Sequence, residues 1–178
     1  MKKRFVGPGR GRWVAPLAIL VLGIAANAQA GRVDFELGGG VFTGVEDDNP
    51  LDSGWFGDVG ATLELSDRVD LEIAFSRVET RETSSDAFQS AELYTGGLRL
   101  YSNAKTDSIT RVFLVAGGGY ASGLAPGEST EVIYFGPGFR LRAGESSGAV
   151  IKVPLLFDAG GSPSKVSLYP TLNFFVSF

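Results

Sequence analysis

From Val166 to Phe178 the apolar side chains fall on every second position: Val166, Leu168, Pro170, Leu172, Phe174, Val176 and Phe178. Between them stand Ser167, Tyr169, Thr171, Asn173, Phe175 and Ser177, most of them polar. A period of two held over that length defines a β-strand with one apolar face and one largely polar face. The run ends on an aromatic residue with no polar tail, as befits a strand that closes a sheet whose apolar face meets lipid.

The same period recurs along the chain. Glycine and turn-forming clusters divide it into eight segments: Arg32–Gly44, Gly54–Leu65, Arg68–Thr80, Phe88–Tyr101, Ser108–Tyr120, Glu131–Arg142, Ala149–Asp158 and Lys165–Phe178. Each is long enough for a tilted membrane-crossing strand of about 9–11 residues. No segment competes with a helical period. The connections after the first, third, fifth and seventh segments are mostly the longer and more polar ones. Long loops at one rim and tight turns at the other define an up-and-down barrel. The expected fold is therefore all-β, an eight-stranded antiparallel transmembrane barrel. Pro137, Pro154 and Pro170 lie inside segments, where each removes a ladder donor, and are expected to mark bulges.

Ahead of these segments, Lys2, Lys3, Arg4, Arg10 and Arg12 make a basic start, followed by an apolar run from Trp13 to Ala26 and then Ala28-Gln29-Ala30. That order is the pattern of a secretory signal, residues 1–30, removed after Ala30, with residues 31–178 left as the barrel. The apolar run is shorter than the roughly 18–20 residues of a spanning helix, and Pro16 weakens it further. Beyond residue 30 remain 11 of the 16 basic residues and all 20 acids, a net charge of −9. That balance argues against a nucleic-acid partner, which needs a basic patch. Cysteine is absent, so no disulfide framework is expected.

Alternation places Asp34, Glu36, Asp58, Glu64, Asp70 and Glu72 on one face of segments one to three. Arg99, Arg111, Arg140, Arg142 and Lys152 follow on the same face of segments four to seven. A soluble lipocalin-like barrel shows such a face to water, and a membrane barrel turns it inward. Three features favour the membrane arrangement. Glycines concentrate on the charged face (Gly38, Gly40, Gly60, Gly97, Gly117, Gly119, Gly136, Gly138), where a concave interior is crowded. Acids and bases segregate onto walls that a closed barrel sets opposite each other. The last segment ends on Phe178. Eleven charges facing lipid would cost on the order of 20 kcal/mol, at about 2 kcal/mol each, more than a domain's whole stability. The charged face is expected to line the lumen, where opposite charges pair and side chains fill an eight-stranded interior. That implies a plugged lumen without stable conductance, made leaky by replacing Arg111 or Arg140 with alanine. Glu92 falls on the apolar side and is expected at the long-loop rim. Trp55, Tyr94, Tyr120 and Phe178 suit aromatic girdles at the two interfaces.

In Ala28-Gln29-Ala30, in Val112-Phe-Leu-Val-Ala-Gly-Gly-Gly-Tyr120 and in Leu172-Asn-Phe-Phe-Val-Ser-Phe178, the chain resembles the small eight-stranded outer-membrane proteins. That group includes outer-membrane protein X and the transmembrane domain of outer-membrane protein A. The resemblance implies a monomer in the cell outer membrane, in contact with its lipid and lipopolysaccharide, with a structural or surface-interaction role. It also implies that the outer-membrane barrel assembly machinery reads the last strand through Phe174, Val176 and Phe178. The loops here are short, which argues against long-loop roles such as adhesion.

Enzymes that acylate or deacylate lipid A share this architecture and resemble hydrolases in using a histidine with a serine. This chain has no histidine and no cysteine, which removes the usual general base and the commonest metal ligand. No catalytic residue, cofactor or metal is therefore expected. A lipid A-modifying enzyme and a soluble periplasmic lipocalin-like binder remain the alternatives. The first loop carries Glu46, Asp47, Asp48 and Asp52. They read either as hard-cation ligands bridging lipopolysaccharide phosphates or as a solvated acidic rim.

Overall fold

The computed structural model describes residues 31–44, 51–82, 88–103, 108–122, 129–159 and 166–178, with Arg32–Phe178 forming one unit. Ten strands succeed one another and, among the described residues, no helix. They are β1 (Val33–Gly44), β2 (Leu51–Ser66), β3 (Val69–Glu82), β4 (Phe88–Tyr101), β5 (Thr110–Ser122), β6 (Ser129–Arg142), β7 (Ser147–Lys152), β8 (Leu155–Asp158), β9 (Val166–Leu168) and β10 (Thr171–Ser177). All pairings are antiparallel, and β1 through β6 pair in chain order.

The last four strands are halves of two staves. Both β7 and β8 pair with β6, and both β9 and β10 pair with β1. The seventh stave is therefore β7–β8 and the eighth β9–β10. Because the eighth pairs with the first, the sheet is a closed ring of eight staves with no free edge. The expected β4 boundaries match the structure, whereas β2 begins at Leu51, ahead of the expected Gly54.

The prolines explain the split. The seventh stave breaks at Val153-Pro154 and the eighth at Tyr169-Pro170, where a missing N–H interrupts the ladder. Pro137 behaves differently and stays inside β6, opposite Leu114. Its carbonyl accepts from Val153 N at 3.0 Å, and Pro154 O accepts from Tyr169 N at 3.0 Å. A residue's N–H and C=O point to the same side of an antiparallel strand. The donor that Pro137 lacks would thus face the Val153-Pro154 break. The three prolines lie on neighbouring staves, Pro137 directed at the seventh stave and Pro154 at the eighth.

The faces are inside-out relative to a soluble barrel. Leu37, Val59, Leu114, Ile133, Phe174 and Phe178 are exposed, whereas Asp34, Glu36, Asp58, Asp70, Glu72, Arg99, Arg140 and Lys152 are buried. Along β6 the outward apolar positions run from Ile133 to Leu141, about 26 Å of strand at about 3.3 Å per residue. A tilt of about 40° turns that into about 20 Å of depth, close to the ~25 Å apolar band of such barrels. The lipocalin-like arrangement, apolar inside and charged outside, is not the one the chain adopts.

The lumen also holds aromatic rings that alternation alone assigns to a polar face. Phe42, Phe56 and Tyr169 pack near the long-loop rim, with Tyr169 stacked on Phe56 at 3.8 Å. Tyr101, Phe113, Tyr134 and Phe175 form a second cluster against the walls of β4 to β7 and β10. Inward glycines make room for these rings. Gly97 and Gly117 face each other across β4 and β5, and a methyl on Gly117 would stand 2.7 Å from the Tyr134 hydroxyl. The outward Gly57 has nothing within 4 Å of that position. Gly117→Val is expected to destabilise the barrel by about 1–3 kcal/mol through overpacking, read as a lower urea midpoint. Gly57→Ala should shift stability by less than about 0.5 kcal/mol.

Candidate functional site

Arg99 is turned into the lumen because Leu98 and Leu100 on either side of it face out. Only 1% of its surface is exposed. Its Nη1 and Nη2 donate to the two carboxylate oxygens of Glu36 at 2.5 and 2.9 Å, and its Nε donates to Glu72 Oε2 at 2.5 Å. One guanidinium from β4 thus holds carboxylates from β1 and β3, the forked geometry that makes arginine pairs strong and directional. Lys152 of β7 adds its ammonium to Glu72 at 3.4 Å.

Neutral groups complete the shell. Tyr134 donates to Glu72 Oε1 at 2.8 Å and Thr62 to Glu36 Oε1 at 2.9 Å. Asn173 of β10 donates to Asp58 Oδ2 at 2.7 Å and to Glu36 Oε2 at 3.4 Å, while Ser76 donates to Asp58 Oδ1 at 2.9 Å. The Tyr134–Glu72 and Asn173–Asp58 bonds join staves that are not neighbours in the sheet. Tyr134, Thr62, Ser76 and Asn173 were not among the expected site residues. Their only signal was an inward position in the alternation, which a neutral side chain shares with simple filler.

A second cluster sits at the turn rim, where β2–β3, β4–β5 and β6–β7 connect. Arg140 pairs with Asp34, and Arg32 lies 3.4 Å from the same carboxylate. The Arg140 guanidinium stands 4.0 Å over the Phe175 ring. Arg111 and Arg142 act on main chain: Arg111 donates to Asp67 O at 2.6 Å, and Arg142 to Glu145 O at 3.2 Å. Arg111 also lies 3.7 Å over the Tyr101 ring. Arg111 thereby braces the turns that frame the opening. Glu64 and Asp70 face the same small cavity, of about 20 Å³, as Arg111 and Arg140. That volume has room for about one water.

The remaining expected residues lie outside. Phe174, Val176 and Phe178 are all exposed, Phe178 by 80%, and its ring meets Phe35 edge-on at 5.8 Å. Trp55 and Tyr120 are exposed as well, and the Tyr94 hydroxyl donates to Glu92 at 2.9 Å. Glu92 pairs with Ser122 at the end of β5, close to the long-loop rim as expected. The first-loop acids Glu46, Asp47 and Asp48, and the side chain of Asp52, lie outside the described residues.

Among the described residues, no three carboxylate, imidazole or thiol groups gather as a metal site. Gly144-Glu145-Ser146-Ser147-Gly148 matches the G-x-S-x-G spacing of hydrolase nucleophile elbows. It forms the tight turn between β6 and β7, with Ala143 N bonded to Ser147 O at 3.0 Å. An elbow needs a helix after the turn and a histidine partner. Strand β7 follows this turn, and the chain has no histidine.

No protein-family model and no curated protein matches the sequence. Its backbone is nevertheless similar to several solved barrels. Ail, the attachment invasion locus protein of Yersinia pestis, is 16% identical at a TM-score of 0.56, over 83% of this chain and 99% of that one. Neisserial surface protein A is 14% identical at 0.58, over 83% and 97%. The N-terminal β-barrel domain of Pseudomonas aeruginosa OprF is 13% identical at 0.56, over 84% and 100%. Closed ring, inverted faces and these likenesses agree: the chain has the fold of the small eight-stranded outer-membrane β-barrels.

Proposed function

We propose that this chain is an integral outer-membrane protein with a structural or surface-interaction role, its lumen sealed by the charge clusters around Arg99 and Arg140. The observation that carries the reading is the inversion of faces: a continuous apolar exterior around a buried set of paired ions. Water would make that exterior unstable, since a contiguous apolar surface of this extent drives association. Lipid makes it the favourable arrangement. Residues 1–30 serve as a signal removed after Ala30, and residues 31–178 form the mature barrel. The barrel assembly machinery engages Phe174, Val176 and Phe178, and the folded protein is a monomer surrounded by lipid and lipopolysaccharide.

The chemistry inside supports a non-catalytic role. The buried acids are held by guanidinium, ammonium, hydroxyl and amide donors, which leaves no acid–base pair poised on an accessible substrate site among the described residues. Two luminal spaces among the described residues are of about 20 Å³ each, too small to admit an organic ligand.

Fractionated cells should contain the protein in the outer membrane, beginning at Gly31, and unheated samples should migrate differently from boiled ones on electrophoresis. Recovery in the soluble periplasmic fraction, unchanged by boiling, would refute this location. In planar bilayers the purified protein should show no stable conductance. Arg99→Ala leaves Glu36 and Glu72 without their shared guanidinium and is expected to cost about 3–5 kcal/mol. Arg140→Ala, at the turn rim, should fold and raise the frequency of leak events. If both variants hold the barrel as silent as the native protein, the charge clusters are not what seals the lumen.

A further inference from the structure

Between the Arg99 cluster and the aromatic packing at the long-loop rim lies another cavity of about 20 Å³, whose lining includes Asp58, Glu72, Ser76, Lys152, Tyr169 and Thr171 along with apolar side chains. Asp58 is 4% exposed, and its partners are two neutral donors, Ser76 and Asn173. Among the described residues the nearby ions do not balance. Glu36, Asp58 and Glu72 supply three negative charges, whereas Arg99 and Lys152 supply two positive ones, already directed at Glu36 and Glu72. The other buried arginines, Arg111 and Arg140, lie at the turn rim. Asp58 stands opposite Gly38 on β1, further from the Asp34–Arg140 pair than Glu36 is.

Two residues lining this space carry unsatisfied oxygens. Thr171 Oγ1 has no hydrogen-bond partner, although the residue is 4% exposed. The Tyr169 hydroxyl, 6% exposed, lies beside Ser76, whose proton already goes to Asp58, and makes no well-formed hydrogen bond. Buried polar atoms left in this state cost stability, and a buried carboxylate short of one positive charge costs more.

We propose that Asp58, Ser76, Tyr169 and Thr171 form an internal site for a single sodium-sized alkali cation. One carboxylate and three hydroxyl oxygens make a hard, all-oxygen ligand set, the donors that hard cations take. The local charge deficit is one, and the Lys152 ammonium in the cavity lining disfavours a divalent ion. A cavity of about 20 Å³ accepts a bare small ion or one water, but nothing larger. The site supplies the missing charge where the ionic layer of the lumen gives way to its aromatic layer.

The test is the urea midpoint of the folded barrel in zwitterionic-detergent micelles, with choline chloride replaced by sodium chloride at constant ionic strength. The midpoint should rise with sodium and saturate, as binding to the native state alone requires. Asp58→Asn should abolish the response. Tyr169→Phe and Thr171→Val remove one oxygen each with little change of shape. Each should raise the sodium concentration for half-saturation by about tenfold. Equal midpoints in sodium and choline chloride would overturn the site and leave buried water in its place. An undiminished response in Asp58→Asn would also overturn it, because the sodium would then act elsewhere. Should Asp58→Asn fail to fold, an unshifted half-saturation in Tyr169→Phe and Thr171→Val would equally rule the site out.

Discussion

An ionised side chain cannot face hydrocarbon, and the rest of this barrel is arranged around that prohibition. Glu36, Glu72 and Arg99 are taken out of solvent altogether, and each loses hydration worth several kcal/mol. The loss is tolerable because Arg99 engages both carboxylates at once and neutral donors take up their remaining lone pairs. These contacts tie β1, β2, β3, β4 and β6 together through the lumen, where the ladder hydrogen bonds join only neighbours. The greasy exterior and the ionic interior are therefore one solution to one constraint. Neither face is stable if the other is reversed.

Much of this was legible in the sequence because a strand's side chains alternate with a period of two. Once one residue's face is assigned within a segment such as Arg32–Gly44, the faces of the others in that segment follow. The sites of the stave breaks were marked by Pro154 and Pro170. Nothing local, however, separates them from Pro137, which remains within a paired strand. The difference is set by the neighbouring stave, because Pro137's absent donor falls opposite a gap. Tertiary register decides it.

Side-chain partners were less legible for the same reason. Segregation of acids and bases onto opposite walls indicated that ions would meet, and Arg99, Arg140 and Lys152 do reach carboxylates. Arg111 and Arg142 carry the same charge on the same face but end on main-chain carbonyls of the turns. Their height relative to the rim depends on strand tilt and stagger, which alternation does not encode. The inward aromatics were equally hidden. Phe113 and Phe175 break the polar face of their strands, and only the three-dimensional position of Gly138 and Gly148 shows that room is left for them.

The inverted faces can be probed where they differ most. Single spin labels at Leu37, Leu114 and Phe174, all strongly exposed on separate staves, would be followed by paramagnetic relaxation in lipid bilayers. Collision with dissolved oxygen should be frequent and collision with a water-soluble nickel chelate rare at all three positions, as for groups bathed in hydrocarbon. Free access of the chelate to these labels in the folded protein would mean that the apolar exterior meets water, and the reading of the barrel as a membrane protein would fail.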